Sequence, residues 1–384
     1  MNASSDALGH RPMATGKAWS VRMADAVMAQ RELLSRRWHY EPGVALLALK
    51  QVWQETGEKR YFDFVKRNID EFVQPDGSIR TYRLDEYNLD QINEGKLLFT
   101  LYDETGDERY KKAAHLLREQ LRTHPRTSEG GFWHKQIYPH QMWLDGIYMA
   151  SPFYVEFARR FEETAGLDDV VHQIILVEQH TRDPGTGLLY HGWDESKSQK
   201  WANPETGCSP SFWGRAIGWF AMAIPDVLDH LPEGHPLQDR MIEIFQTTMA
   251  AVARVQDPSS GVWYQVLDQG GRPGNYLESS ASCMLVYAFA KGIRRGYLER
   301  GHIEVARRGF EGILEQFVTV DGDGLAHLDG ICAVAGLGGT PYRDGSFEYY
   351  VGEKVIADEY KGVGPFIMAS VEMEKFGQTN RARS

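Results

Sequence analysis

Cysteine is scarce in this chain. Three residues, Cys208, Cys283 and Cys332, occur in a length of 384. The number is odd, the spacings are wide, and no CxxC pair or Cys/His ligand spacing is present. Neither a disulfide framework nor a zinc site is expected, and no other cofactor is implied. Each cysteine reads as a small buried residue. Long apolar runs are missing as well. The longest uncharged stretches, such as 279–290, fall short of the roughly 20 residues that span a bilayer. The first residues, MNASSDALGHRPMATGKAW, hold no apolar h-region, so no signal peptide is read there and a cytoplasmic location is expected. Positive charge is also short. Lys and Arg total 42 against 53 Asp and Glu, the formal net charge is −11, and no basic block occurs. A nucleic-acid backbone is therefore not an expected partner. An anionic small molecule is still accommodated if a few cations converge in a cleft. Long β-branched alternation, linkers and low-complexity stretches are absent too.

Aromatic residues are plentiful: ten Trp, 18 Tyr and 17 Phe. Rings suit a carbohydrate cleft and a large core equally well. A chain of 384 residues makes two ordinary domains or one large closed architecture. Two internal repeats favour the second. Gln54-Glu55-Thr56-Gly57-Glu58-Lys59-Arg60-Tyr61 returns as Asp103-Glu104-Thr105-Gly106-Asp107-Glu108-Arg109-Tyr110. The glycine reads as a helix stop and the acid after it as the start of the next helix, a repeated helix–turn–helix corner. Asp183-Pro184-Gly185-Thr186-Gly187-Leu188-Leu189-Tyr190 returns as Asp257-Pro258-Ser259-Ser260-Gly261-Val262-Trp263-Tyr264, with weaker echoes at 74–79 and 323–327. Each is a Pro/Gly turn followed by a short β-like run.

Apolar helices rich in small residues are predicted to start near 42, 90, 141, 212, 279 and 353. More charged helices are predicted at 17–36, 58–73, 107–123, 167–181, 237–255 and 302–318. Six of each kind imply an all-α fold, an (α/α)6 barrel, with the first helix meeting the last to close the ring. Inner helices hemmed in on all sides would explain Gly146, Ala150, Ala216, Gly218, Ala221, Ala281, Gly362 and Gly364, and the absence of a polar face. The expected organisation is a loose segment at 1–15 and one barrel domain over 16–378. The other all-α reading is an open solenoid for protein binding, which would want regular surface repeats.

One residue stands out. Asp145 lies in WLDGIYMASPFYVEFARRF, a helical run apolar nearly all round. A carboxylate there is costly to ionise without a partner. It reads either as an N-cap or a partner of Lys135 or Arg159, or as an acid whose pKa burial raises. The basic cluster His134, Lys135 and His140 just before it favours chemistry. A second loaded stretch is Trp213-Gly214-Arg215-Ala216-Ile217-Gly218-Trp219. Arg215 there either pairs with a structural acid or forks onto a ligand carboxylate. His191, in LYHGW, is either an incidental loop residue or a group that donates to a ligand or holds a water. Asp90, read as the start of the second inner helix, is either an N-cap or a rim carboxylate. His39 and Tyr40 would precede the first inner helix at the same rim. Six helix N-termini pointing at one mouth add positive potential, which suits an anion.

Trp143-Leu144-Asp145-Gly146-Ile147-Tyr148-Met149-Ala150-Ser151-Pro152-Phe153 together with Trp213-Gly214-Arg215-Ala216-Ile217-Gly218-Trp219 resembles the unsaturated rhamnogalacturonyl hydrolases, glycoside hydrolase family 105, whose relatives are the unsaturated glucuronyl hydrolases of family 88. The resemblance runs over roughly residues 19 to 376. It implies an (α/α)6 barrel, a small anionic oligosaccharide as substrate, and Asp145 as proton donor. It also implies that Tyr40, Asp90, His134, Lys135, His191, Trp213, Arg215 and Trp219 contact the substrate. The implied reaction is hydration of a C4=C5 enol ether left by a pectin lyase, followed by release of the attached sugar, usually rhamnose. Burial among Trp143, Trp213 and Tyr148 would keep Asp145 protonated, while Lys135 and Arg215 would face the substrate carboxylate. Competing readings are an unsaturated glucuronyl hydrolase, a sugar epimerase or isomerase on the same barrel using histidine bases, and a non-enzymatic scaffold with an exposed apolar patch. Oligomeric state is not legible.

Overall fold

The computed structural model describes residues 16–381. The expectation for residues 1–15 lies outside them. In chain order the helices are α1 (Trp19–Gln30), α2 (Tyr40–Thr56), α3 (Lys59–Asp70), α4 (Gly95–Thr105), α5 (Glu108–Thr123), α6 (Leu144–Arg160), α7 (Thr164–Thr181), α8 (Gly214–Leu228), α9 (Gln238–Arg254), α10 (Ser279–Arg295), α11 (Ile303–Gln316), α12 (Phe347–Gly352) and α13 (Tyr360–Arg381). Helices α2, α4, α6, α8, α10 and α13 form an inner ring in which α13 packs against both α10 and α2. Helices α1, α3, α5, α7, α9 and α11 lie outside it. This is the (α/α)6 barrel expected. No helix of the described residues is long and apolar enough to cross a membrane.

Position in the ring explains composition. Inner helix α8 is buried along nearly its whole length. Outer helix α3 buries one stripe: Tyr61, Phe64, Val65, Asn68 and Ile69. Small residues let inner helices touch. A Cβ on Gly218 would come within 2.8 Å of Met284 Sδ, and one on Gly364 within 2.6 Å of Val44 Cγ1.

Both repeats have a structural job. At the corners Gly57 and Gly106 take φ 70° and 68° and donate to Trp53 O and Tyr102 O, both at 2.8 Å. The residues that follow tie each outer helix to the one before: Arg60 and Tyr61 reach Asp25 of α1, and Arg109 and Tyr110 reach Asp70 of α3. In the longer connections Asp183 accepts from Thr186, and Asp257 accepts from Ser260. A further copy, not found in the sequence, runs over 127–134, where Gly131 N donates to Thr127 Oγ1. Its Gly130, like Gly187 and Gly261, has positive φ. Four residues after these glycines come His134, His191 and Gln265, all buried.

Several boundaries differ from expectation. The first helix ends at Gln30 rather than near 36. The second inner helix starts at Gly95, not near 90. Residues Leu89–Ile92 form a 3₁₀ turn whose Asn88 side chain caps Asp90 N at 3.0 Å. The last inner helix starts at Tyr360, not near 353, because Val355–Ile356 pairs with Ile331–Cys332 as a short strand. Apolar spacing alone does not separate such turns from a helix start. The first and last helices do meet: Ser20 N and Oγ donate to the Glu374 carboxylate at 3.0 and 2.6 Å. The inner helices are not without a polar face. Their C-terminal halves line a cavity of about 460 Å³ that includes Lys50, Lys96, Glu156, Asp226, Lys291 and Glu372. Six helix C-termini gather partial negative charge there, which cations offset.

Candidate active site

The N-terminal ends of the inner helices meet at the mouth opposite that cavity. Strand β1 (Gln141–Trp143) leads into α6 and pairs antiparallel with β2 (Gly192–Asp194), Trp143 facing Gly192. Leu144 N donates to His191 O at 3.0 Å. This register sets His191 beside the first turn of α6, and its Nε2 lies 3.0 Å from Asp145 Oδ2. Asp145 is the second residue of the helix, not its cap, and its partner is His191 rather than Lys135 or Arg159. Despite the short distance, neither atom makes a well-aligned hydrogen bond. Acid–base pairs in free enzymes are often loose in this way and tighten on substrate.

The pair stands among rings. His191 meets Trp143 edge-on at 5.4 Å and Trp213 at 4.8 Å. His134 stacks on the same Trp143 at 4.4 Å. The Asp145 side chain keeps 14% of its surface exposed, and His191 keeps none. Burial pushes the Asp145 carboxyl up, but His191 and then His134 outweigh it, so the group sits below the usual carboxylate range. That corrects the expectation that desolvation wins: an imidazole at 3.0 Å favours the anion more than the dry surroundings oppose it.

Beside this pair lies a second group. Lys135 Nζ is 2.6 Å from Asp90 Oδ2, and His134 Nε2 is 3.5 Å from Asp90 Oδ1. An isolated bridge between Asn88 and Lys135 holds the two segments in register. Burial raises the Asp90 carboxyl, yet Lys135 and His134 bring it below its ordinary value. Burial pushes His134 down to about 4, so it is neutral near pH 7. Lys135 is therefore not set aside for a substrate carboxylate, as expected from the sequence; it neutralises Asp90. His140 does not join the cluster. It is half exposed and faces Glu195 at 3.5 Å.

Arg215, 1% exposed, donates to Ser280 Oγ at 3.3 Å and to Cys332 O, and lies 4.8 Å over the Trp213 ring. Its described hydrogen-bond partners are neutral; the nearby carboxylate, Glu278, is spent on Ser280, Ala281 N and Cys332 N. Tyr40 opens α2, its ring edge-on to Trp219 at 6.4 Å. Trp219, also 1% exposed, stacks on Tyr148 at 4.8 Å. Tyr148 lines the opposite cavity, so Trp219 and Tyr148 separate the two ends of the barrel.

The mouth thus gathers Tyr40, Asp90, His134, Lys135, Asp145, His191, Trp213 and Arg215, with Trp219 one turn deeper. Sequence reasoning missed Tyr350 and Gln265. The Tyr350 hydroxyl is 2.6 Å from His191 Nδ1, and the Gln265 side chain accepts from Trp213 Nε1 at 3.1 Å and donates to the Tyr350 carbonyl at 3.0 Å. Gln265 occupies the same place in its repeat as His191 does, a signal that was available. Tyr350 carried none.

The family model for Glycosyl Hydrolase Family 88 matches residues 19–377. A solved glycoside hydrolase from family 105 of C. acetobutylicum ATCC 824 superimposes with a TM-score of 0.92 at 48% identity, over 94% of this chain and 100% of that one. Protein Atu3128 of Agrobacterium fabrum is 39% identical over 230 residues, 58% of this chain and 97% of its own. The unsaturated rhamnogalacturonyl hydrolase YesR of Bacillus subtilis is 29% identical over 270 residues, 69% of this chain and 73% of its own.

Proposed function

The chain belongs to glycosyl hydrolase family 88, and we propose that this hydrolase removes a terminal 4,5-unsaturated uronic acid, galacturonyl in origin and linked to rhamnose, from pectin-lyase oligosaccharides. The observation that carries the reading is that, of the two carboxylates beside His134, Asp145 is the one with its capacity unspent. Asp145 Oδ2 and His191 Nε2 are buried without an aligned partner, whereas Asp90 is neutralised by Lys135. A two-carboxylate displacement needs both groups free. Hydration of an enol ether needs one group that gives a proton and takes one back.

In this mechanism Asp145 donates its proton to C4 as the C4=C5 electron pair forms the new C–H bond. Positive charge develops at C5 and the ring oxygen. Water attacks C5 and returns a proton to the Asp145 carboxylate. The hemiketal opens and releases the attached sugar. Arg215, with neutral described hydrogen-bond partners, is the cation for the substrate carboxylate. Trp143 and Trp213, both buried, wall the Asp145–His191 pair with rings.

The name YesR bears supports the rhamnose linkage. Elimination erases the C4 and C5 stereocentres, so galacturonyl and glucuronyl units leave the same unsaturated end group. Discrimination must then rest on the attached sugar. The test is loss of the conjugated ultraviolet absorbance with a rhamnose-linked fragment and with a fragment carrying the same end group on another sugar. Turnover in heavy water should place deuterium at C4. Asp145→Asn should lower kcat by about 10²–10⁴-fold or more while binding persists; near-normal turnover by this variant would end the assignment.

A further inference from the structure

The imidazole of His191 is wholly buried, and its two nitrogens face different partners. Nε2 faces Asp145 at 3.0 Å, and Nδ1 faces the Tyr350 hydroxyl at 2.6 Å. Tyr350 is wholly buried too. Its ring stacks on Trp213 at 5.6 Å with a 17° interplanar angle. Its carbonyl accepts from Gln265 Nε2 at 3.0 Å, and the same Gln265 accepts from Trp213 Nε1 at 3.1 Å. The short helix that carries it is capped by Ser346. The hydroxyl is thus held by the wall of the site itself.

That hydroxyl has one described hydrogen-bond partner, His191 Nδ1. A buried O–H left without an acceptor is costly, so its proton belongs on the line to Nδ1. A neutral imidazole has one N–H, which is then on Nε2 and faces Asp145. We propose that Tyr350 is a positioning residue for the Asp145–His191 pair: by holding Nδ1 it commits Nε2 to Asp145 and lets the pair store the proton that goes to carbon.

This rests on Asp145 being the acid. In the resting state the three groups hold two protons, the phenol O–H and the Nε2–H, and Asp145 is a carboxylate. One proton enters from solvent at Asp145, which alone of the three keeps exposed surface. Two arrangements of that proton are then open. In one, an imidazolium faces the carboxylate. In the other, Asp145 is a carboxylic acid donating to Nε2, and the imidazole N–H sits on Nδ1 and donates to the phenol oxygen. A hydroxyl fits both states, as donor before and acceptor after. The second arrangement is the one that can protonate C4. Water attack at C5 restores one proton to Asp145, so none is gained or lost over the cycle.

Tyr350→Phe keeps the ring and removes the hydroxyl. With the full-length enzyme and a rhamnose-linked unsaturated disaccharide, kcat should fall about tenfold or more. KM should stay within about threefold, and the basic limb of the kcat–pH profile should move, because the hydroxyl meets Nδ1 as donor in the resting pair and as acceptor in the acid form and supports the two unequally. A merely structural tyrosine would move stability and leave that limb in place. Nitrogen-15 spectra of histidine-labelled wild-type protein, with the His191 signals identified by their loss in His191→Gln, read the tautomer directly. The expected resting form is Nε2-protonated. A folded Tyr350→Phe enzyme with unchanged kcat and profile, or a resting wild-type His191 protonated on Nδ1, overturns the proposal. The spectra decide the matter if the variant does not fold. If the wild-type enzyme fails to consume the unsaturated substrate, the functional reading falls, while the spectra still judge the Tyr350 contact.

Discussion

Asp145 was conspicuous because a lone acid sits in an apolar helix, a mismatch any reader of residues can find. What it does there depends on neighbours that spacing cannot supply. His191 immediately precedes a strand that pairs only in the folded chain, and its proximity reverses the direction in which burial alone would move the carboxyl. The consequence is measurable. In the free enzyme the acid lies below the usual carboxylate range, so the protonated form is lost as pH rises through the acid region, and kcat/KM should fall along with it. Bound substrate displaces water and brings its own carboxylate, and both effects raise the group. The basic limb of kcat should therefore lie at higher pH than that of kcat/KM. Coincident limbs in pH–rate profiles would contradict this. Tyr350, 159 residues from its partner His191, illustrates the opposite limit: a tyrosine in a short helix of a connection has no sequence signature for the nitrogen it will meet.

At the scale of elements the repeated corners were readable because backbone chemistry is local. A glycine that must take positive φ after an apolar helix marks the stop wherever the helix later packs. Gly106→Ala tests this cleanly. An added Cβ meets nothing within 4 Å, so the cost is backbone strain alone. The variant should lose about 1 kcal/mol in urea unfolding and keep its kcat, since the corner lies at the end of the barrel away from Asp145. No loss of stability would mean that the corner tolerates a side chain in the left-handed region. The misplaced helix starts near 90 and 353 fail for the converse reason. Asn88 caps a 3₁₀ turn and Val355 joins a strand, choices set by contacts with the connections and not by the residues' own periodicity.

For the whole molecule, helix count and alternation of inner and outer character carried the architecture. We propose that residues 16–378 act as one domain, because α13 closes the ring against α2 and Lys361 Nζ crosses that seam to Glu41. Far-ultraviolet circular dichroism and tryptophan fluorescence should then report one shared unfolding transition in urea. Two separated transitions would divide the chain. The ring also explains why the chemistry collects at one end. Every inner helix enters from the same rim, so the mouth receives the N-termini and the side chains delivered by the connections, while the opposite end receives the C-termini and a charged cavity.

From the residues alone came the ring of helix pairs, its stops and corners, and the suspicion attached to Asp145, Arg215 and His191, because propensity, periodicity and an acid among apolar neighbours are properties of a stretch. Only the folded chain decided who pairs with whom. Lys135 is taken by Asp90, His191 by Asp145 and Tyr350, and the carboxyl's proton affinity follows from those distances. Electrostatic coupling falls off over a few ångströms, and positions far apart in sequence become neighbours at that range only once the ring has closed.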